Sequence, residues 1–494
     1  MNGCSGAEAE LRILCPGRNC WRIAHAHRAA VLIDGQDYFG CLEQTLRAAK
    51  HSIFILGWDF DASIKLRGET DGHCQKLGDF IRSLVESRPE LQVRILVWNL
   101  ATLHAPGAAL PLIFGDVWQE HERITLRLDH KHPIYAAQHQ KIVTIDDSLA
   151  FVGGMDLTVD RWDTSEHRAE EPGRKKPDGT PFGPVHDIEF LIDGEAAAAV
   201  AMLARERWRV VTGEIVGPAA SRLDAWPSGL PPDFRDVPIG IARTCPAWRR
   251  ERGIGEVAAL TANVLRAARR SIYIEAQYFT HFATADLLAE QLRNPQGPEI
   301  VIVVSREMHG TIERYVMGAN RNRLIRRLKR ADLFDRLRVY HAVVHGAASD
   351  CDVLIHSKLI IVDDELLRIG SSNLNNRSVG LDTECDLAIE ATDDDTRAGI
   401  ARVRARLIAE HLAADAKRVA ELTAAEGSLI KAIDRLNTGH RRLELRVVPE
   451  SGPDRPFLGT RLLDPQRPFR LLSWLPGGRW NIRRVLQPAR IRRR

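Results

Sequence analysis

The stretch HQKIVTIDDSLAFVGGMDL (139–157) returns later in the chain as HSKLIIVDDELLRIGSSNL (356–374). Each copy reads His-x-Lys, four residues, Asp, six residues, Gly-Gly or Gly-Ser, one residue, then Asp or Asn. The matched positions 139/356, 141/358, 146/363 and 153/370 are all 217 residues apart. A lone His-x-Lys is common; two long copies in register indicate an internal repeat.

KIVTID and KLIIVD are β-branched apolar runs and are expected to be strands. Side chains on a strand alternate faces, so His139 and Lys141 project together, as do His356 and Lys358. Asp146 and Asp363 lie an odd seven residues after their histidines, on the opposite face of an unbroken strand. They are therefore expected to support the site, without contacting the imidazoles. The glycines that follow are expected to let backbone approach an anion.

Histidine beside lysine suits phosphoryl transfer. One imidazole can attack phosphorus and hold it covalently. A second can protonate the leaving oxygen and then deprotonate the incoming water or alcohol. Lysines can neutralise the non-bridging oxygens. Only 11 of the 69 basic residues are Lys, yet Lys fills both motif positions, where a compact point charge is wanted.

Outward from the motifs, the two halves match. SIFILGWDF (52–60) corresponds to SIYIEAQYF (271–279) at an offset of 219, LQVRILVW (91–98) to PEIVIVVS (298–305), and the segment around Asp187 to that around Glu384. Strands alternating with helices predict an α/β fold of two similar lobes with a site at their interface, related by a pseudo-twofold. The expected divisions are an irregular arm over 1–29, a first lobe over 30–216, a Pro-rich connection over 217–250, a second lobe over 251–437 and a basic tail over 438–494. The polar segment 164–184 reads either as a mobile active-site loop or as a solvated insertion. The tail, with Trp474, Trp480 and Arg492-Arg493-Arg494, reads either as a lipid-facing element or as a solvated basic end.

The composition is that of a soluble globular protein, 44% hydrophobic and 27% charged, with net charge +4. This mild basicity fits an anionic substrate or membrane surface. Neither a bilayer-spanning apolar run nor a secretory leader pattern is present, so a cytoplasmic or peripheral-membrane protein is expected. Secretion without a leader stays open. The eight cysteines have no metal-like spacing and read as reduced thiols. No basic-aromatic stripe marks nucleic acid as a partner.

With these residues in view, the chain resembles the phospholipase D superfamily over roughly residues 30–435. FVGGMDLTVDRWD, IYIEAQYFT and GSSNLNNRSVGLDTECDLAIE resemble its branch that acts on membrane lipids. The resemblance implies two α/β/α sandwich lobes and a phosphohistidine mechanism with no catalytic metal and no cofactor. It implies His139 as nucleophile and His356 as acid/base, with Lys141, Lys358 and Asn373 on the phosphate. Asp187 and Glu384 would orient the histidines, and Asp146 and Asp363 would support the site from behind. Asp156 stands where the simplest pattern has Asn and, lacking a donor, is not expected on the phosphate. Gln277 either reaches the pocket or is structural. The implied activity is hydrolysis of glycerophospholipids to phosphatidate and free head group by a monomer, with water or an alcohol as acceptor. A phosphatidyl transferase of the cardiolipin-synthase kind is the alternative.

Overall fold

A computed structural model describes residues 12–68, 75–99, 116–220, 224–249, 251–307, 311–347, 349–457 and 459–468. The first half contributes β1 (Arg22–Ile33), β2 (Ser52–Gly57), β3 (Gln92–Trp98), β4 (Ile124–Asp129), β5 (Ile142–Ile145), β6 (Leu149–Gly153), β7 (Val185–His186) and β8 (Ile188–Asp193). The second contributes β9 (Phe234–Cys245), β10 (Ile254–Gly255), β11 (Ser271–Ala276), β12 (Glu299–Val304), β13 (Leu337–Val344), β14 (Cys351–Asp352), β15 (Leu354–Ile355), β16 (Lys358–Val362), β17 (Leu366–Gly370), β18 (Glu384–Glu390) and β19 (Arg441–Leu445).

Hydrogen-bonded pairing runs β4-β3-β2-β5-β6-β8-β1 in the first half and β13-β12-β11-β16-β17-β18-β9 in the second. The order is the same in both, with three parallel strands followed by antiparallel ones. The halves join where β1 pairs antiparallel with its counterpart β9, Arg22 opposite Ile241 and Ala29 opposite Phe234. An antiparallel pair of equivalent strands is what a pseudo-twofold produces at its axis.

Burial of both sheet faces explains why the strands read as nearly continuous apolar runs. In the first half, helices Asp34–Ala48 and Leu77–Ser87 cover one face and Gly194–Thr212 the other. In the second, Glu256–Ala267, Phe282–Arg293 and Thr311–Ala331 cover one face. Asp394–Leu412, Ala416–Glu426 and Leu429–Leu436 cover the other. One core is continuous between the halves and takes in Phe54, Phe190, Tyr273 and Leu387.

Three expected boundaries are corrected. Residues 22–29, placed in the arm, form most of β1; its His25, His27 and Arg28 broke the apolar pattern. Residues 234–245, placed in the connection, form β9; Pro238 and Gly240 read as turn residues but lie mid-strand. The tail begins with β19, which pairs with β13. Its buried Asp464 accepts from Thr280 Oγ1 at 2.8 Å and from the backbone N–H of Asn376 at 2.9 Å. Residues 469–494, with Trp474, Trp480 and the terminal arginines, lie outside the described residues. The described cysteines, 15, 20, 41, 245, 351 and 385, are free thiols. No helix among the described residues is long and apolar enough to cross a membrane.

Candidate active site

Each His-x-Lys motif enters its strand by running alongside the opposite half. Before β5, the Ala137 N–H donates to Asp382 Oδ1 at 2.8 Å and the His139 N–H to the Thr383 carbonyl at 3.2 Å. Before β16, β15 pairs with β7, and the His356 N–H donates to the His186 carbonyl at 2.8 Å. The two motifs are thereby fixed to one another by main chain.

The carboxylates cross over. His139 Nδ1 lies 3.0 Å from Glu384 Oε2, and His356 Nδ1 lies 2.6 Å from Asp187 Oδ2. Each imidazole is therefore held by the other half. A carboxylate on Nδ1 keeps the proton there and leaves the Nε2 lone pair for chemistry.

The glycines serve this arrangement. A Cβ on Gly154 would stand 2.0 Å from Asp187 Oδ1, and one on Gly153 2.3 Å from Glu189 Oε2. The anion they admit is thus the protein's own carboxylate. At the repeat position of Gly154, Ser371 donates its hydroxyl to Glu384 Oε2 at 2.6 Å.

Burial is the dominant electrostatic influence. It holds both histidines well below the usual imidazole range, and the neighbouring lysines push the same way. Lys358 is held down to about 7, first by burial and then by Lys141 and Arg161, against the pull of Asp187. Burial alone would raise Asp187, but His356 and Lys358 outweigh it and leave it at about 2. Burial carries Glu384 the other way, well above the ordinary carboxylate range. The His356 partner is the firmer anion.

The remaining expected residues fall into two groups. Lys141 Nζ pairs with Asp156 Oδ2 at 3.0 Å, while Asp156 Oδ1 accepts from the Trp58 N–H at 2.8 Å. Lys358 Nζ donates to Gln277 Oε1 at 3.2 Å, which gives Gln277 a place beside the motif lysine. The buried Asn373 keeps Oδ1 without a hydrogen-bond partner. By contrast, Asp146 sits at the far end of β5 and accepts from the N–H groups of Lys50, His51 and Ser52 at 2.7, 2.8 and 2.7 Å. Asp363 does the same for Arg269, Arg270 and Ser271 at 2.5, 2.7 and 2.7 Å. These two aspartates fasten helix-to-strand turns and touch neither imidazole.

Sequence reasoning missed two members. Arg161 is close enough to His356 and Lys358 to oppose positive charge on both. Its signal was a cation inside the quoted DRWD run. Ser371 could have been found from its 217-residue offset to Gly154. The polar segment 164–184 is mostly exposed, as a solvated insertion would be, and is pinned to the fold by the buried His167 and Arg174. Arg174 reaches Asp163 Oδ1 at 2.9 Å.

Residues 262–402 match the family model described as "Cardiolipin synthase, PLD-like domain". Phospholipase D A of Dictyostelium discoideum is 25% identical, over 73% of this chain and 32% of its own. Phospholipase D alpha 4 of Arabidopsis thaliana is 24% identical, over 74% of this chain and 62% of its own. A cardiolipin synthase of Halalkalibacterium halodurans is 24% identical, over 75% of this chain and 64% of its own. The chain spans 17% of Phospholipase D B and 32% of Phospholipase D A, both of Dictyostelium discoideum. In three dimensions it is similar to phosphatidylserine synthase of Haemophilus influenzae, with TM-score 0.55 and 15% identity, covering 79% of this chain and 89% of that one.

Proposed function

Because the chain belongs to the phospholipase D superfamily, we propose that it cleaves the head-group phosphodiester of glycerophospholipids through a covalent phosphohistidine. The observation that carries this is the reciprocal pair of histidines, each backed by a carboxylate from the opposite half.

His139 attacks phosphorus through Nε2, and the bond to the head-group oxygen breaks. His356 gives its proton to that oxygen. It then takes a proton from water, whose oxygen attacks phosphorus, breaks the bond to His139 and releases phosphatidate. The ionised Asp187 favours His356 for the step that needs an imidazolium, since the anion stabilises the charged ring. In the free site Lys358 and Arg161 oppose that charge. A bound phosphate offsets them, so protonation of His356 is coupled to substrate binding. Lys141 and Lys358 stabilise charge on the non-bridging oxygens, and Asn373 offers its amide to the same phosphate.

The substrate is a phospholipid at a membrane surface and the working unit is a single chain, because one chain supplies both motifs. A peripheral association with membrane follows from such a substrate. An alcohol in place of water would give transfer. A phosphatidyl transferase of the cardiolipin-synthase kind is the second reading, favoured by the description of the matched family model. Purified protein is mixed with vesicles of phosphatidylcholine, phosphatidylethanolamine and phosphatidylglycerol, and head-group release is followed. Release of choline, ethanolamine or glycerol with phosphatidate is expected. Cardiolipin together with the released head group, and without phosphatidate, would favour the second reading, and no product from any lipid would defeat both.

A further inference from the structure

Behind the reacting histidines lies a polar cluster that the chemistry above does not use. Asp34, His167, His186 and Glu410 are buried, with exposures of 1%, 1%, 0% and 8%. One nitrogen or carboxylate oxygen from each falls within 4.8 Å of all the others. Asp34 begins the first helix, His167 lies in the 164–184 segment, His186 ends β7, and Glu410 comes from helix Asp394–Leu412 of the second half.

The two rings point inward at the same two carboxylates. His186 Nδ1 is 2.8 Å from Glu410 Oε1 and 3.1 Å from Asp34 Oδ1. His167 Nε2 is 3.0 Å from Glu410 Oε1 and 3.4 Å from Asp34 Oδ2. Their outer nitrogens are also held, His167 Nδ1 by Asp163 Oδ2 at 2.9 Å and His186 Nε2 by Glu275 Oε2 at 2.8 Å. Glu275 is itself oriented by the Tyr273 hydroxyl at 2.6 Å and the Ser357 hydroxyl at 2.8 Å.

This is the layout of a metal centre with its supporting shell. A ligating histidine typically donates its other ring N–H to a carboxylate, which fixes the tautomer. A neutral imidazole has only one N–H. Rings flanked by carboxylates on both sides therefore need either an extra proton each or a cation between them. Asp34 Oδ2 is buried, aimed into the cluster and without a hydrogen-bond partner. A tetrahedral ion with bonds of about 2.0–2.2 Å separates its ligand atoms by roughly 3.3–3.6 Å. The inner contacts run from 2.8 to 3.4 Å, so the longest already has that spacing and the others open by about half an ångström to admit the ion.

We propose that Asp34, His167, His186 and Glu410 form a closed structural site for a divalent transition-metal ion, zinc by its two-imidazole, two-carboxylate donor set. Calcium and magnesium want more ligands, all of them oxygen, whereas imidazole suits zinc. The ion would staple the 164–184 segment to the second half. It would also steady the strand that presents Asp187: the Asp34 N–H donates to the Asp187 carbonyl at 2.8 Å, and the Asp187 N–H to Asp34 Oδ1 at 3.2 Å. These four residues position the catalytic pair and do not touch the phosphate.

The test is metal content of the full chain, purified without a polyhistidine tag, given zinc chloride and then dialysed against metal-free buffer. Mass spectrometry of the elements should find about one zinc per chain, held through dialysis as a buried structural site holds it. The Asp34→Asn/His167→Gln variant should lose it. The His25→Ala/His27→Ala variant, which removes an exposed cluster beside Asp236, should keep it. Should the first variant fail to fold, X-ray absorption at the zinc edge of the wild type decides, with a four-coordinate shell containing two imidazoles expected. A metal-free wild type, zinc retained by Asp34→Asn/His167→Gln, or a shell lacking imidazole would overturn the proposal and leave a network held by protons alone.

Discussion

At the scale of single residues, the proposed reaction depends on two imidazole–carboxylate contacts that cross between the halves. Asp187→Asn keeps the size of the side chain and removes the charge that stabilises the His356 imidazolium. Its kcat should fall by roughly 100-fold to 10,000-fold, the usual worth of a positioned acid or base, with the thermal midpoint nearly unchanged. A loss confined to KM would contradict the role. Lys358 gives a second prediction. Its ammonium is held down to about 7 in the free site, so it is charged below that pH and neutral above. As pH rises through about 7, kcat/KM should fall, because this ratio reports the free enzyme. The fall in kcat should come at higher pH, because a bound phosphate favours the charged lysine. A kcat/KM profile flat from pH 6 to pH 9 would refute this. The histidines and lysines were visible in the sequence through the 217-residue offset, and the two carboxylates through the matching segments around Asp187 and Glu384. Which carboxylate serves which histidine was not, because an offset within one half carries no information about contacts made across halves.

At the scale of elements, the far-end aspartates belong to folding. Asp146 gathers three backbone N–H groups at the turn before β2. Asp146→Ala leaves them without their acceptor and should cost roughly 2–4 kcal/mol. Its thermal midpoint should drop by several degrees while the folded fraction retains most of its kcat. Loss of kcat at full stability would instead place Asp146 in the chemistry. The period-2 argument located this residue because a strand keeps its alternation until it bends. The same reasoning failed at β1 and β9. Both lie at the junction of the halves, where His25 and His27 stay partly or fully exposed and Pro238 sits opposite His25. Pairing with a partner more than 200 residues away supplied what local pattern lacked.

At the scale of the whole molecule, the repeat is a duplicated sheet whose equivalent strands β1 and β9 meet at the pseudo-twofold. That symmetry places two half-sites face to face, and the 217-residue offset already implied it. The buried cluster behind the site was not legible, since Asp34, His167, His186 and Glu410 share no spacing that marks ligands. What breaks the symmetry is chemical: Gly154 against Ser371, Asp156 against Asn373, Asp187 against Glu384. In the proposed reaction these differences go with unlike tasks for like histidines. The most direct measurement uses the His356→Ala protein, which lacks both the acid for the leaving oxygen and the base for the second step, mixed briefly with vesicles of phosphatidyl-p-nitrophenol, whose leaving group departs without a proton, and digested for mass spectrometry. A phosphatidyl adduct on the peptide that carries His139, absent from His139→Ala, is the predicted result. Full turnover by His356→Ala with no adduct on either histidine would contradict the account.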